Sequence, residues 1–126
     1  MNFNNYTIKS QEALNKATEI ATTRGQQVIE TGHLLQAILE SDENLISFLF
    51  KKIGVNRSII ELKLDEIVHK YPLVSGGQAY LSNQAAQALQ NAEGFLKNLE
   101  DEYVAIEHII LGILKGKDQT AQLLKD

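Results

Sequence analysis

The 126-residue chain has no cysteine and no tryptophan, and only one proline. Without cysteine there can be no disulfide and no thiolate metal ligand, which fits a reducing compartment such as the cytoplasm. No apolar run approaches the roughly 18 residues of a membrane-spanning helix. The opening "MNFNNYTIKS" lacks the basic start and apolar stretch of a secretion signal. Positive charge is also short: 12 Lys and Arg face 16 Asp and Glu, for a net charge of −4. The basic residues are scattered, which argues against the basic stripe of a nucleic-acid binder. There is no Gly-rich phosphate loop and no Gly-x-Ser-x-Gly elbow, so a free-standing helical enzyme is disfavoured. What is present, 44% hydrophobic and 22% charged residues, is enough for one domain with a single core.

The most informative feature is a phrase written twice. "IETGHLLQAIL" (29–39) and "VAIEHIILGIL" (104–114) each set a histidine ahead of an apolar run ending in Ile-Leu. His33 and His108 lie 75 positions apart, and the same offset pairs Thr7 with Ser82, Leu14 with Leu89, Ala17 with Ala92, Leu34 with Ile109 and Ile38 with Ile113. Apolar positions and helix-start residues coincide together, the mark of an internal duplication.

Each copy reads as helices. Thr7 and Ser82 are placed to accept first-turn N–H groups as N-caps. The spacing of Leu14, Ala17, Ile20 and Ala21 predicts a helix from Thr7 to about Thr23, ended by Gly25. Its mate runs from Ser82 to about Asn98. A second helix is expected from Thr31, acting as cap, to Glu40, with its counterpart over Glu107 to Lys115. A third spans about Glu43–Lys52 and recurs from Asp118 onward. A fourth, about Asn56 to Lys70, has no counterpart, because Gly54 plus the offset falls beyond position 126. The chain is therefore expected to be an excerpt of a longer one. The stretch "YPLVSGGQAY", with the proline and the Gly76-Gly77 pair, predicts a turn-rich linker. The expected organisation is all-α: a first repeat at 1–71, a linker at 72–80 and a second repeat at 81–126, within one compact domain.

Groups able to do chemistry are sparse. His33, His69 and His108 lack a second ligand at helical i+3 or i+4 spacing apart from scattered carboxylates, so no metal site is expected. His33 and His108 sit in the first turn of apolar helices, where ring nitrogens satisfy neighbouring backbone. Glu100, Asp101 and Glu102 read as a solvated acidic loop, and Glu107 as a helix-start acid favoured by the dipole. Together with exposed apolar residues they also suit an acidic rim on a groove for extended or basic peptide. Tyr80, Leu81, Tyr103 and Val104, which flank the acids and the linker, are the expected apolar strip.

The two histidine segments resemble the paired repeats of the Clp N-terminal domain, the front domain of Clp-type AAA+ unfoldases. The family's Thr-Glu-His motif with its two following apolar pairs is met here by "TGHLLQAIL" and "IEHIILGIL". "YTIKSQEAL" and "KKIGV" are similar to further family segments, so the resemblance covers essentially the whole chain. The middle, "HKYPLVSGGQAYLSNQAAQAL", is most like the ClpB-type disaggregase branch. In the ClpC-type branch both copies carry the motif glutamate, which serves recognition of phosphorylated arginine. Here the first copy has Gly32 and only the second keeps its acid, Glu107.

The resemblance implies a pseudo-twofold duplicated four-helix repeat, truncated in its second copy. It implies a domain that hydrolyses nothing and carries no cofactor or metal, with ATP and Mg belonging to AAA+ modules beyond residue 126. The domain alone is expected to be a monomer, and hexamer formation would fall to those modules. Expected partners are unfolded or aggregated client proteins, and the DnaK system through the full-length protein; neither nucleic acid nor membrane is expected. A polar cluster tied to client engagement maps onto Thr7, Asp101 and Glu107. The alternative is a docking domain for an adaptor or partner, as in ClpA- and ClpC-type protease unfoldases.

Overall fold

A computed structural model describes residues 3–41, 43–74, 77–99 and 102–125, without the side chains of 97–99. Asp101 and Gly76 lie outside the described residues. Seven helices and one two-residue strand pair appear among them: α1 (Ile8–Thr23), β1 (Val28–Ile29), α2 (Thr31–Ser41), α3 (Glu43–Ile53), α4 (Arg57–His69), β2 (Tyr80–Leu81), α5 (Asn83–Leu99), α6 (Ile106–Leu114) and α7 (Gln119–Lys125). The all-α expectation holds.

Local signals explain most boundaries. Thr7 caps α1 by accepting from the Ser10 N–H at 3.1 Å, and Ser82 caps α5 by accepting from the Ala85 N–H at 3.0 Å. Asn56 caps α4 through the Ile59 N–H. Gly25 follows α1 with φ of 74°, a left-handed turn that glycine makes without steric cost.

Thr31 departs from expectation. It lies inside the first turn of α2 instead of capping it, and its hydroxyl donates to Asp118 Oδ2 at 2.7 Å. The helix is opened by Glu30, whose carbonyl accepts from the N–H groups of His33 and Leu34. Asp118 in turn accepts from the Ala121 N–H at 3.0 Å and starts α7. One carboxylate thereby caps a helix of the second half and anchors a threonine of the first. The second-copy helix begins at Ile106, one residue ahead of the expected Glu107, and ends at Leu114.

α2 is the central rod. It contacts every other helix, and from Thr31 to Leu39 only Gln36 is not fully buried. Leu34, Leu35 and Ile38 form a core with Leu89, Ile109 and Ile113 from the other half. The alanines allow close packing: Ala13, Ala17 and Ala21 of α1 face α2, while Ala85, Ala88 and Ala92 of α5 face α6. At the tightest point a Cβ added to Gly112 would sit 2.1 Å from the Ala88 carbonyl oxygen.

The duplication is visible as interlocked bridges. β1 pairs with β2 in parallel, Val28 with Tyr80 and Ile29 with Leu81. Shifted by the repeat offset, Ile29 becomes Val104 and Leu81 becomes Tyr6, and these two also form a parallel bridge. The Ser82 N–H donates to the Ile29 carbonyl at 2.9 Å, and the Thr7 N–H donates to the Val104 carbonyl at the same distance. The chain leading into α1 is thus fastened to the chain leading into α6, and the lead-in to α5 is fastened to the lead-in to α2.

Candidate functional site

The Tyr6–Val104 bridge gathers part of the anticipated cluster. Thr7 follows Tyr6 and is held by the Val104 carbonyl, which places it at the base of the loop running into α6. Its hydroxyl accepts from the Ser10 N–H and donates to Ser10 Oγ at 2.9 Å, so it is already engaged in the cap. Glu107 sits in the first turn of α6, exposed, where the unpaired N–H groups of a helix start favour a carboxylate. Ile8, two residues from the same bridge, and Tyr103, one residue from it, are 75% and 54% exposed.

Val104 does not belong to an exposed strip. It is fully buried, because the bridge turns its side chain into the core beside Tyr6. Tyr80 and Leu81 lie on the other, pseudo-symmetric edge, where β2 meets β1. Tyr80 is 54% exposed there, and Leu81 is half-buried against the core. The four apolar residues therefore form two separate edges.

The two edges are shaped differently. Around β2 a shallow groove of about 270 Å³ is lined by Phe3, Leu14, Ile29, Leu34, Tyr80 and Leu81, among others. At the matching place in the second half, Tyr6 stands where Leu81 stands in the first and is itself buried. Burial, and then the nearby Glu93 carboxylate, push the Tyr6 phenol well above its ordinary range.

Both histidines bind backbone. His33 Nδ1 accepts from the Glu30 N–H at 2.9 Å, and His108 Nδ1 accepts from the Ala105 N–H at 2.8 Å. Each ring thus satisfies the donor that opens its helix. For His33 this puts the proton on Nε2, which donates to Gln26 Oε1 at 2.7 Å. Gln26 Nε2 donates to the Val68 carbonyl at 2.8 Å and more loosely to that of Tyr71. Burial, with the positive charge of Arg24 behind it, lowers the His33 pKa to about 4. Among the described residues, no group of three or more His, Asp and Glu side chains is placed to hold a metal ion.

Tyr71 is the residue sequence reading missed. Taken as the start of a linker, it folds back over the start of α2, and its hydroxyl accepts from the Gly32 N–H at 3.3 Å. The signal available was the glycine itself, which stands where the second copy has Glu107.

Comparison with known proteins agrees along the whole chain. The family profile of the Clp repeat (R) N-terminal domain matches residues 5–126. The chaperone protein ClpB of Porphyromonas gingivalis is 48% identical over 126 residues, covering 100% of this chain and 15% of that protein. ClpB of Bacteroides thetaiotaomicron is 43% identical over the same span and share. The chain thus spans about 15% of the length of these relatives. Among solved structures, the Hsp104 N-terminal domain of Candida albicans superposes with a TM-score of 0.81 at 22% identity, over 96% of this chain and 78% of that one. The N-terminal domain of the ClpV1 ATPase of E. coli reaches 0.82 at 16% identity, over 98% and 83%. At these identities the two structures establish the fold alone.

Proposed function

The chain belongs to the Clp repeat N-terminal domain family, most similar to the N-terminal part of ClpB chaperones, and from that premise we propose that it is a client-engaging module. In this reading it captures unfolded or aggregated protein segments weakly and passes them to an AAA+ ring carried elsewhere in a longer protein. That ring would bind ATP and Mg, form the hexamer and work with the DnaK system in the cytoplasm. This domain itself contributes binding rather than hydrolysis.

The observation that carries the reading is the edge around the Tyr6–Val104 bridge. Exposed Ile8 and Tyr103 lie within two residues of the bridge, and Glu107 lies in the first turn of the adjacent helix. An apolar patch with an acidic rim holds non-native chain through its sidedness, without a sequence code. Six weak copies on one ring would raise effective concentration without tight single sites. Thr7, Asp101 and Glu107 are the polar contacts proposed. Thr7 acts chiefly by fixing the α1 cap against the bridge, and Glu107 by attracting basic and donor groups of the client.

The test is an NMR titration of the chain with reduced, carboxymethylated lactalbumin as a permanently unfolded client. Shifts are expected to cluster at Thr7, Tyr103 and Glu107. Shifts confined to α4 would place the site elsewhere and sink this assignment.

A further inference from the structure

We propose that Tyr71 is a resident occupant of the first-repeat copy of the site, so that the domain presents one client-binding edge where its duplication would otherwise supply two. The proposal rests on the reading that the Thr7–Glu107 edge engages clients.

The two copies start their central helices alike. In each, the residue before the helix gives its N–H to a histidine Nδ1 three positions on, at 2.9 Å in α2 and 2.8 Å in α6. Beyond that ring they diverge. At α6 the next determinant is Glu107, exposed to water. At α2 the equivalent position is Gly32, buried, with its N–H directed at Tyr71 Oη. The Tyr71 ring leans over His33 with centroids 5.2 Å apart. Its backbone is tied down by its own N–H to the Val68 carbonyl at 3.1 Å. A phenol therefore covers the turn that is open in the other copy.

Glycine at 32 is required for room and not for backbone angle. A Cβ there would lie 2.6 Å from Tyr71 Oη and 3.0 Å from Val68 Cγ2. Any side chain at 32 must displace the Tyr71 hydroxyl from the Gly32 N–H, so Gly32 and Tyr71 form one device. The first-copy mates of Thr7 and Asp101 are closed as well, while the apolar groove beside Tyr80 stays open. Ser82, the mate of Thr7, is buried, and Gln26 is buried and spent on His33 and the α4 carbonyls. The resident group also defines what the place accepts: an aromatic ring with a polar tip that meets a helix-start N–H.

Two measurements test this, and they fail separately. The first needs no client. In Tyr71→Ala, p-cresol replaces the missing side chain. At ten times its Kd it raises the variant's melting temperature by roughly 4 °C and leaves the wild type unmoved. Toluene, lacking the hydroxyl, does less. No selective rise in the variant overturns the proposal. Should Tyr71→Ala not fold, Gly32→Ala expels the hydroxyl while keeping the ring. Nitration of Tyr71 by tetranitromethane, read by mass spectrometry, then rises several-fold over wild type; unchanged nitration overturns the proposal.

The second measurement is the lactalbumin titration. In the wild type Val28, Gly32 and Tyr80 stay still while Thr7 and Glu107 shift. In Tyr71→Ala both sets shift, and the stoichiometry moves from one client segment per chain to two. Shifts at both edges of the wild type, or at one edge only of the variant, overturn the stopper. Shifts at neither edge of the wild type overturn the client reading itself, while the p-cresol result still decides whether Tyr71 is a replaceable occupant.

Discussion

The helices that begin at Thr31 and Ile106 start with the same histidine contact and are surrounded differently. α2 is followed by α3 and then α4, whose last turn and trailing Tyr71 close over the α2 start. His33 is fully buried there, with both ring nitrogens bonded. At α6 the glutamate of the first turn meets water. Duplication repeats a backbone together with its caps and bridges. Whether a repeated surface can act is decided by what lies over it, and one tyrosine is enough to make the two copies unequal.

The largest effect expected from this inequality is at the histidines. His33→Ala leaves the Glu30 N–H and Gln26 Oε1 without partners and opens a cavity in a sealed site, a loss of about 3 kcal/mol. His108→Ala, at a site that is also buried but slightly less so at 5% exposure, costs about 2 kcal/mol. Urea denaturation of the two variants gives the ratio; equal losses would mean that the deeper burial of His33 carries no energetic weight. Neither substitution is expected to remove client binding selectively.

The same residue sets a pH dependence. With its pKa near 4 in the fold against about 6.5 when unfolded, His33 takes up a proton more readily in the unfolded chain. Its contribution is full above about pH 6.5, falls as pH drops toward 4 and is flat below that, a total of roughly 3 kcal/mol. Melting curves between pH 7 and 4 should show this limb, and His33→Gln should flatten it. An unflattened limb would assign the acid sensitivity to carboxylates.

A smaller effect separates the two helix contacts. Gly112 in α6 and Ala37 in α2 are equivalent positions, and both are buried. A methyl at Gly112 meets the Ala88 carbonyl, which is backbone and cannot rotate away. Gly112→Ala is therefore expected to cost about 2 kcal/mol, although alanine is the better helix former. Ala37→Gly costs about 1 kcal/mol, through propensity and lost packing. Gly94, in α5 with open space around it, changes sign: Gly94→Ala stabilises by about 0.8 kcal/mol. Stabilisation by alanine at Gly112 would mean that α5 and α6 can separate without loss.

Periodicity, caps and the 75-residue offset made most of the fold legible. The boundaries of α1 and α4 follow from Thr7, Asn56 and the apolar spacing; the two parallel bridges obey the offset but were not expected from it. Contacts between residues distant in sequence were not legible. Thr31 looks like a cap because it precedes an apolar run, yet Asp118, 87 positions on, takes its hydroxyl. Val104 looks like an exposed residue beside acids, yet pairing with Tyr6 turns it inward. Tyr71 next to the proline looks like linker, and only the folded α4 shows that it returns to Gly32. In the site, residue type at Gly32 and Glu107 flagged the asymmetry, but its cause lay 39 positions away.

The smallest effect on stability is expected where the effect on function is proposed to be large. Glu107 is exposed, and its interaction with the α6 start is worth about 0.5 kcal/mol at low salt. Glu107→Gln keeps the shape of the side chain and removes only the charge, so the denaturation midpoint should move within that amount. If the carboxylate attracts basic and donor groups of clients, affinity for unfolded lactalbumin falls several-fold in low salt, and the difference from wild type narrows as salt screens the charge. The complementary change, Gly32→Glu, places an acid in the first copy only by expelling Tyr71. It should therefore lower stability and at the same time bring client shifts to Val28 and Tyr80. Loss of affinity in Glu107→Gln that persists unchanged at high salt would point to shape instead of charge, and the acid would no longer distinguish the open edge from the closed one.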